Sequence, residues 1–249
     1  MSELVHLEVA DQVATITLDS EHNRNALSRQ LVTELAAHLD TAFADTESRA
    51  VLIRSAGRVF CSGADLSEAS ADGMVVGAQA LVDIQRKIAT ASKPVVVELA
   101  GPVRAGGLGI VGAADIVIAA ESVNFQLTEV RLGLAPAVIS LTLLPRLTDR
   151  AAADLFLTAR SFDAAEAVTL GLVTRAVPDD ELGDAVVAVL ADLAQGYPQG
   201  LRETKKLLNH DLVARIDALG GGLAEQSAAL FGSDEAREAM LAFLSRRKG

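Results

Sequence analysis

The chain has 249 residues, half of them apolar, and carries 33 acidic side chains against 22 Lys plus Arg, a formal net charge of −11. That length fits one large domain or two small ones around a substantial core, and the apolar share excludes a disordered chain. An acidic chain with one tyrosine and no tryptophan is poorly suited to a nucleic-acid groove, and no apolar run approaches the roughly 20 residues that span a bilayer.

The opening "MSELVHLEVADQ" has no basic stretch followed by an apolar one, which predicts a cytoplasmic protein. "LVHLEVADQVATITLDS" then alternates apolar and polar residues on both sides of Asp11–Gln12, which predicts a β-hairpin. Leu27, Leu31, Leu35 and Leu39 recur every four residues, one stripe of an amphipathic helix with Ser28 near its start. "AVLIRSA" (50–56) reads as a buried strand, "GRVFCSGADL" (57–66) as a loop, and 73–91 as a helix. "PVVVELAG" (94–101) and "DIVIAA" (115–120) are further strands.

Between those two strands, "AGGLGIVG" contains a G-x-G-x-x-G made by Gly107, Gly109 and Gly112. A dinucleotide-binding turn needs a crossover helix after the glycines, and only Ala113 and Ala114 precede the next strand, so that reading fails. The spacing instead predicts a strand-to-helix turn with a short helix over about 106–113. Its first amides are unpaired and free to donate to an anion or a polarised carbonyl. Gly63-Ala64-Asp65 in "FCSGADL" forms a second loop of this kind, so each loop can supply one N–H to an oxyanion; packing turns are the alternative on spacing alone.

From about residue 138 the pattern is mostly helical, interrupted by one short strand, "LVTRAV" (172–177), and closing on "EAREAMLAFLSRRKG", an amphipathic helix with a basic tip. The expectation is an α/β core over 1–190 and a helical region over 191–249. Cys61 is the only cysteine, and His6, His22, His38 and His210 show no ligand spacing, so neither a disulfide nor a metal site is expected. Cys61 reads as a small buried filler. Glu98, inside an apolar strand, is expected to pair with Arg104 or to sit at a sheet edge rather than serve as a substitute acid. Asp115 is expected to cap or pair locally.

Taken in order, "HNRNALS" (22–28), "RVFCSGADL" (58–66), "KPVVVELAGPVRAGGLG" (93–109), "AADIVIAAESVNFQLTEVRLGLAP" (113–136) and the tail "AFLSRRKG" resemble the crotonase superfamily, the enoyl-CoA hydratase/isomerase family. The resemblance implies an α/β fold of the ClpP/crotonase type, a spiral of ββα units followed by a helical trimerisation region, assembling as a homotrimer or a dimer of trimers. It implies an acyl-CoA thioester as substrate, with the backbone amides of Ala64 and Gly106 stabilising an enolate-like oxyanion and Glu129 as general acid/base. Arg24, Ala26, Asp65, Leu66, Phe243 and Lys248 would lie along the substrate, with Asp65 also structural beside its loop. No metal and no cofactor beyond the substrate's own CoA is implied.

One position departs from the family pattern. Hydratases of the family hold a water between two glutamates, and the first of these falls at Gly109. The preferred expectation is an enoyl-CoA hydratase, a lyase of fatty acid metabolism that adds water to C2=C3. The alternatives are an isomerase that uses Glu129 alone and a non-catalytic acyl-CoA-binding protein.

Overall fold

The first two strands, β1 (Val5–Ala10) and β2 (Val13–Leu18), pair antiparallel from Val5↔Leu18 to Ala10↔Val13. Asp11 and Gln12 form the turn at φ 48° and 63°, the left-handed backbone that lets a two-residue loop follow the twist of its strands. The structure is a computed structural model that describes residues 2–68 and 71–246, with the side chains of 71–75 and 243–246 left outside the description.

Helix α1 (Arg29–Ala44) starts where the Ser28 hydroxyl accepts from Leu31 N at 3.3 Å. Leu31, Leu35 and Leu39 face the core, all fully buried. Leu27 lies outside the helix: the Ser28 cap ends the helical backbone ahead of it, and Leu27 bridges Ala64 instead. The chain continues through β3 (Ala50–Ser55), α2 (Ala71–Thr90), β4 (Val95–Leu99), β5 (Val103–Arg104), α3 (Gly106–Ala113), β6 (Ile116–Ala120) and β7 (Asn124–Gln126). It then runs through α4 (Ser140–Leu143), α5 (Asp149–Thr158), β8 (Phe162–Asp163), α6 (Ala164–Thr169), β9 (Arg175–Val177), α7 (Leu182–Ala194), α8 (Pro198–Phe231) and α9 (Asp234–Arg246).

The strands form two sheets, ordered β1-β2-β3-β4-β6-β9 and β5-β7-β8. Successive windings share them out: β4 and β6 enter the large sheet, and β5 and β7, which follow them, enter the small one. Val95, Val96, Val97 and Leu99 are fully buried on β4, as expected of a strand parallel to both its neighbours and covered on both faces. The alternation of strands and helices agrees with the α/β reading. The small sheet was not foreseen, because strands of two or three residues are too short to show a period. The strand expected over 172–177 shrinks to Arg175–Val177; Leu172 and Val173 are buried in the turn after Gly171, which sits at φ 85°.

Helix α8 folds back along α2. Arg86 Nε meets Asp217 Oδ1 at 2.6 Å, and Gly220 fits because a Cβ there would lie 2.7 Å from Val82 Cγ1. Asp115 corrects the local-pairing expectation: its carboxylate accepts from Val95 N (2.7 Å), Lys205 Nζ (2.6 Å) and Asn209 Nδ2 (3.0 Å). Lys205 is only 4 % exposed, and a buried ammonium of this kind needs a paired carboxylate. Asp115 thus fastens α8 to the strand ends of the large sheet.

Candidate active site

Three backbone segments run side by side at the base of a cavity of about 1190 Å³. Leu27 N donates to Gly63 O at 2.8 Å, Phe60 N to Pro102 O at 3.1 Å, and Arg104 N to Cys61 O at 2.9 Å. Glycine is required at 63, because φ is 95° and a Cβ would come 2.9 Å from Ala105 Cβ. Asn25, 2 % exposed, stitches the first segment down: Oδ1 accepts from Ser20 N and Nδ2 donates to Val59 O.

Ala64 and Gly106 both line the cavity. Ala64 N–H donates to no protein acceptor among the described residues. Gly106 is the first residue of α3, so its N–H has no intrahelical acceptor, and the helix dipole places partial positive charge there. Ala105, just before it, has φ 46° and ψ −121°. A side chain in that region costs about 1–3 kcal/mol and persists only where the surroundings enforce it. Ala105 N–H is held by Gln126 O at 3.1 Å.

The three glycines of the G-x-G-x-x-G motif face the core. A Cβ on Gly107 would lie 2.6 Å from Cys61 Cβ, and one on Gly112 would lie 2.8 Å from Thr142 Oγ1. A Cβ on Gly109 would lie 3.0 Å from Ile139 Cγ2 and 3.2 Å from Gln85 Cδ. Gln85 and Thr142 are fully buried. The Thr142 hydroxyl sits 2.9 Å from Gln85 Oε1 and 3.2 Å from Gly109 O, while Gln85 Nε2 donates to Leu81 O and Val138 O. The space that a side chain at position 109 would enter is therefore filled by a satisfied polar knot and Ile139. Neither Gln85 nor Thr142 stood out in the sequence, since their pairing spans 57 positions.

Glu129 opens the 3-10 turn Glu129–Leu132 after β7. Its Oε2 is buried and has no hydrogen-bond partner among the described residues. Burial pushes the carboxyl up to about 7, against the opposing pull of the Glu129 and Thr128 N–H groups. A carboxyl poised there can both take and return a proton near neutral pH. The other acids on the cavity wall are engaged: Asp65 accepts from Asn23 Nδ2 (3.0 Å) and Ser67 Oγ (2.7 Å), and Glu68 accepts from Arg29 N (2.8 Å). Burial raises the Asp65 carboxyl, and the bonds from Ser67 and Asn23 outweigh it, leaving the carboxyl below its ordinary value.

Arg24, Ala26 and Leu66 also line the cavity. Arg24 has φ 60° and Asn25 φ 52°, a double left-handed turn that presents the loop to the cavity. Phe243 lies on α9 with its side chain outside the description, and Lys248 lies outside the described residues. Apolar wall comes from Leu81 on α2, Leu134 and Ile139 after the Glu129 turn, Phe231 on α8, and Ala239 and Ala242 on α9.

Glu98 stays off the cavity, as expected, but both places expected for it fail: it sits on β4, inside the sheet between β3 and β6 and not at an edge, where burial raises its carboxyl against the opposing charge of Arg54. Arg104 binds Asn124, not Glu98. Cys61 is a packing residue as expected: fully buried, its thiol pushed up to about 12 by burial. Among the described residues no three His, Cys, Asp or Glu cluster as a metal site, and no helix is long and apolar enough to cross a membrane.

Two free backbone amides and one protonatable carboxyl on a shared cavity, carried by interleaved sheets, define an α/β scaffold equipped to hold a carbonyl oxygen and move a proton. The sequence profile of the enoyl-CoA hydratase/isomerase family matches residues 8–249. An enoyl-CoA hydratase from Mycobacterium avium is 45 % identical, with 99 % of this chain and 98 % of that one aligned and a TM-score of 0.92. An enoyl-CoA hydratase from Bacillus halodurans is 25 % identical, with 96 % and 99 % coverage and a TM-score of 0.91. A short-chain-enoyl-CoA hydratase from Clostridium acetobutylicum is 28 % identical, with 98 % of this chain and 95 % of the relative covered. The protein is an enzyme of the crotonase superfamily with the ClpP/crotonase α/β fold; the chain belongs to the enoyl-CoA hydratase/isomerase family.

Proposed function

We propose that the protein adds water across C2=C3 of an enoyl-CoA thioester, with the Ala64 and Gly106 amides holding the thioester oxygen and Glu129 moving the proton. The observation that carries this is the buried Glu129 Oε2, without a hydrogen-bond partner among the described residues, in the wall that also holds the two unpaired amides. Hydrogen bonds to the thioester oxygen draw charge from the double bond and make C3 electrophilic. The ionised Glu129 accepts a proton from water as its oxygen bonds to C3, and the C2=C3 electron pair moves onto the thioester as an enolate. The proton on Glu129 is then delivered to C2, the enolate collapses, and a 3-hydroxyacyl-CoA results with the carboxylate regenerated. Amides aimed at the developing charge favour the transition state over the ground state.

The filled space at Gly109 supports a second reading. Without a second acid, Glu129 would remove a proton next to the thioester and return it at the far end of the conjugated system, moving the double bond with no change in mass. The names of the relatives favour hydration. In either reading Arg24, Ala26, Asp65, Leu66, Phe243 and Lys248 lie along the substrate and no cofactor beyond its CoA is needed. The chain divides into a 1–190 core and a 191–249 helical region, works in the cytoplasm in fatty acid metabolism, and assembles as a homotrimer or a dimer of trimers.

The test is incubation with linear, β-branched and carboxylated enoyl-CoAs in water labelled with heavy oxygen, followed by mass spectrometry. A product heavier by one labelled water, absent with Glu129→Ala, supports hydration. A moved double bond at unchanged mass supports isomerisation. Binding without turnover of any substrate overturns both in favour of an acyl-CoA-binding protein.

A further inference from the structure

The strand that ends at the Gly106 amide and the strand that leads to Glu129 are neighbours, and one side-chain pair fastens them together. β5 runs directly into Ala105 and Gly106; β7 runs through Leu127 and Thr128 into Glu129, and Arg104 pairs with Gln126 in the register between them. The half-buried Arg104 guanidinium donates to Val103 O (2.9 Å), to Asn124 O (2.8 Å) and to Asn124 Oδ1. It has no carboxylate within ion-pair distance among the described residues, whereas Arg86 and Arg160 do. A half-buried cation on the cavity wall, desolvated enough to lower its pKa and given only neutral acceptors, joins these two short strands at a cost, so a function beyond pairing is called for.

Ala105 suggests it. Its backbone is in a region that glycine favours, and this is the conformation from which Gly106 N–H enters the cavity. Such a backbone persists only when its surroundings over-determine it. On the Ala105 side these are Arg104 N to Cys61 O, Ala105 N to Gln126 O, and the guanidinium bonds to Asn124. Misplacing a donor by a fraction of the hydrogen-bond length forfeits much of its effect on the transition state.

We propose that Arg104 and Asn124 are positioning residues, a clamp that holds Ala105 in its positive-φ conformation and so fixes the Gly106 amide relative to Glu129. The inference rests on the proposed roles of Gly106 and Glu129. Asn124 does not line the cavity, so its replacement removes the clamp without removing a substrate contact.

The experiment combines steady-state kinetics with infrared spectroscopy of a bound enoyl-CoA labelled with carbon-13 at the thioester carbonyl. In the wild-type protein the carbonyl stretch falls on binding, because amide donors weaken the bond. In Asn124→Ala the stretch returns toward its free value, and kcat falls about 10-fold to 100-fold with KM within about two-fold. The pH midpoint set by Glu129 stays in place. Asn124→Asp keeps the acceptor for Arg104 and restores kcat and the stretch. A folded Asn124→Ala with wild-type kcat and stretch overturns the clamp, as does a lower kcat with an unchanged stretch. If Asn124→Ala does not fold, Asn124→Ser, whose shorter side chain leaves the Arg104 guanidinium only the backbone carbonyl at 124, gives an intermediate loss in both readouts with KM within about two-fold; wild-type values there overturn the clamp equally. A wild-type protein that binds the label with no carbonyl shift overturns the oxyanion reading itself, a different result from any of these.

Discussion

Replacing Glu129 by Gln removes a titration that the fold makes unfavourable, and the size of that effect follows from the structure. Burial lifts the carboxyl from its ordinary 4.5 to about 7. Between those values the folded protein keeps a proton that the unfolded chain has released, so stability falls as pH rises through the window. Below 4.5 both states are protonated and the residue contributes nothing; above about 7 both are ionised and the deficit is constant. At ~1.4 kcal/mol per pH unit the gap amounts to about 3 kcal/mol. Glutamine has nearly the same shape and no charge, so the stability of Glu129→Gln relative to wild type should rise by about 3 kcal/mol between pH 4.5 and pH 8. Most of that rise should fall between pH 5 and 7. The measurement is urea denaturation of both proteins at one fixed protein concentration across that range, because every other group cancels in the difference. A difference that stays constant within about 1 kcal/mol would refute the claim that burial holds the Glu129 carboxyl above its ordinary value.

The same substitution should lower turnover on the accepted enoyl-CoA about 10²-fold to 10⁴-fold, the usual worth of a general acid/base, as read by steady-state kinetics at pH 7. Gly109→Glu should not create a second acid. Its side chain must displace Ile139 or Gln85, so a loss of about 1–3 kcal/mol in denaturant unfolding is expected, with no gain in hydration. Lys205→Ala leaves Asp115 buried without its ammonium and should cost about 3–5 kcal/mol, seen as a lower urea midpoint. Cys61 should resist alkylation in the native state at pH 8 and react on unfolding, because its thiol is fully buried and pushed up to about 12; mass spectrometry before and after urea checks this.

Local pattern made a good part of the molecule readable. The Asp11–Gln12 turn, the leucine stripe of α1, the apolar β4 and the short helix at Gly106–Ala113 all reflect periods or turn chemistry written within a few residues. Ala64, Gly106 and Glu129 were singled out because they sit in distinctive strings, and the fold places all three on one cavity. The G-x-G-x-x-G is misleading in its detail: Gly107, Gly109 and Gly112 admit protein neighbours, and the glycine of "AGGLGIVG" that lines the cavity is Gly106, outside the motif.

What sequence alone determined is what depends on neighbours along the chain: alternation, capping, and the placement of free amides at a strand-to-helix turn. Tertiary structure decided what depends on partners far away. Asp115 takes its lysine from 90 positions along the chain, Gln85 meets Thr142 across 57, and Arg104 takes Asn124, leaving Glu98 aside. Glu129 owes its raised pKa to burial, which no reading of its neighbours in sequence could supply. Desolvation and long-range hydrogen bonding act through space, and only the folded chain says which groups share it.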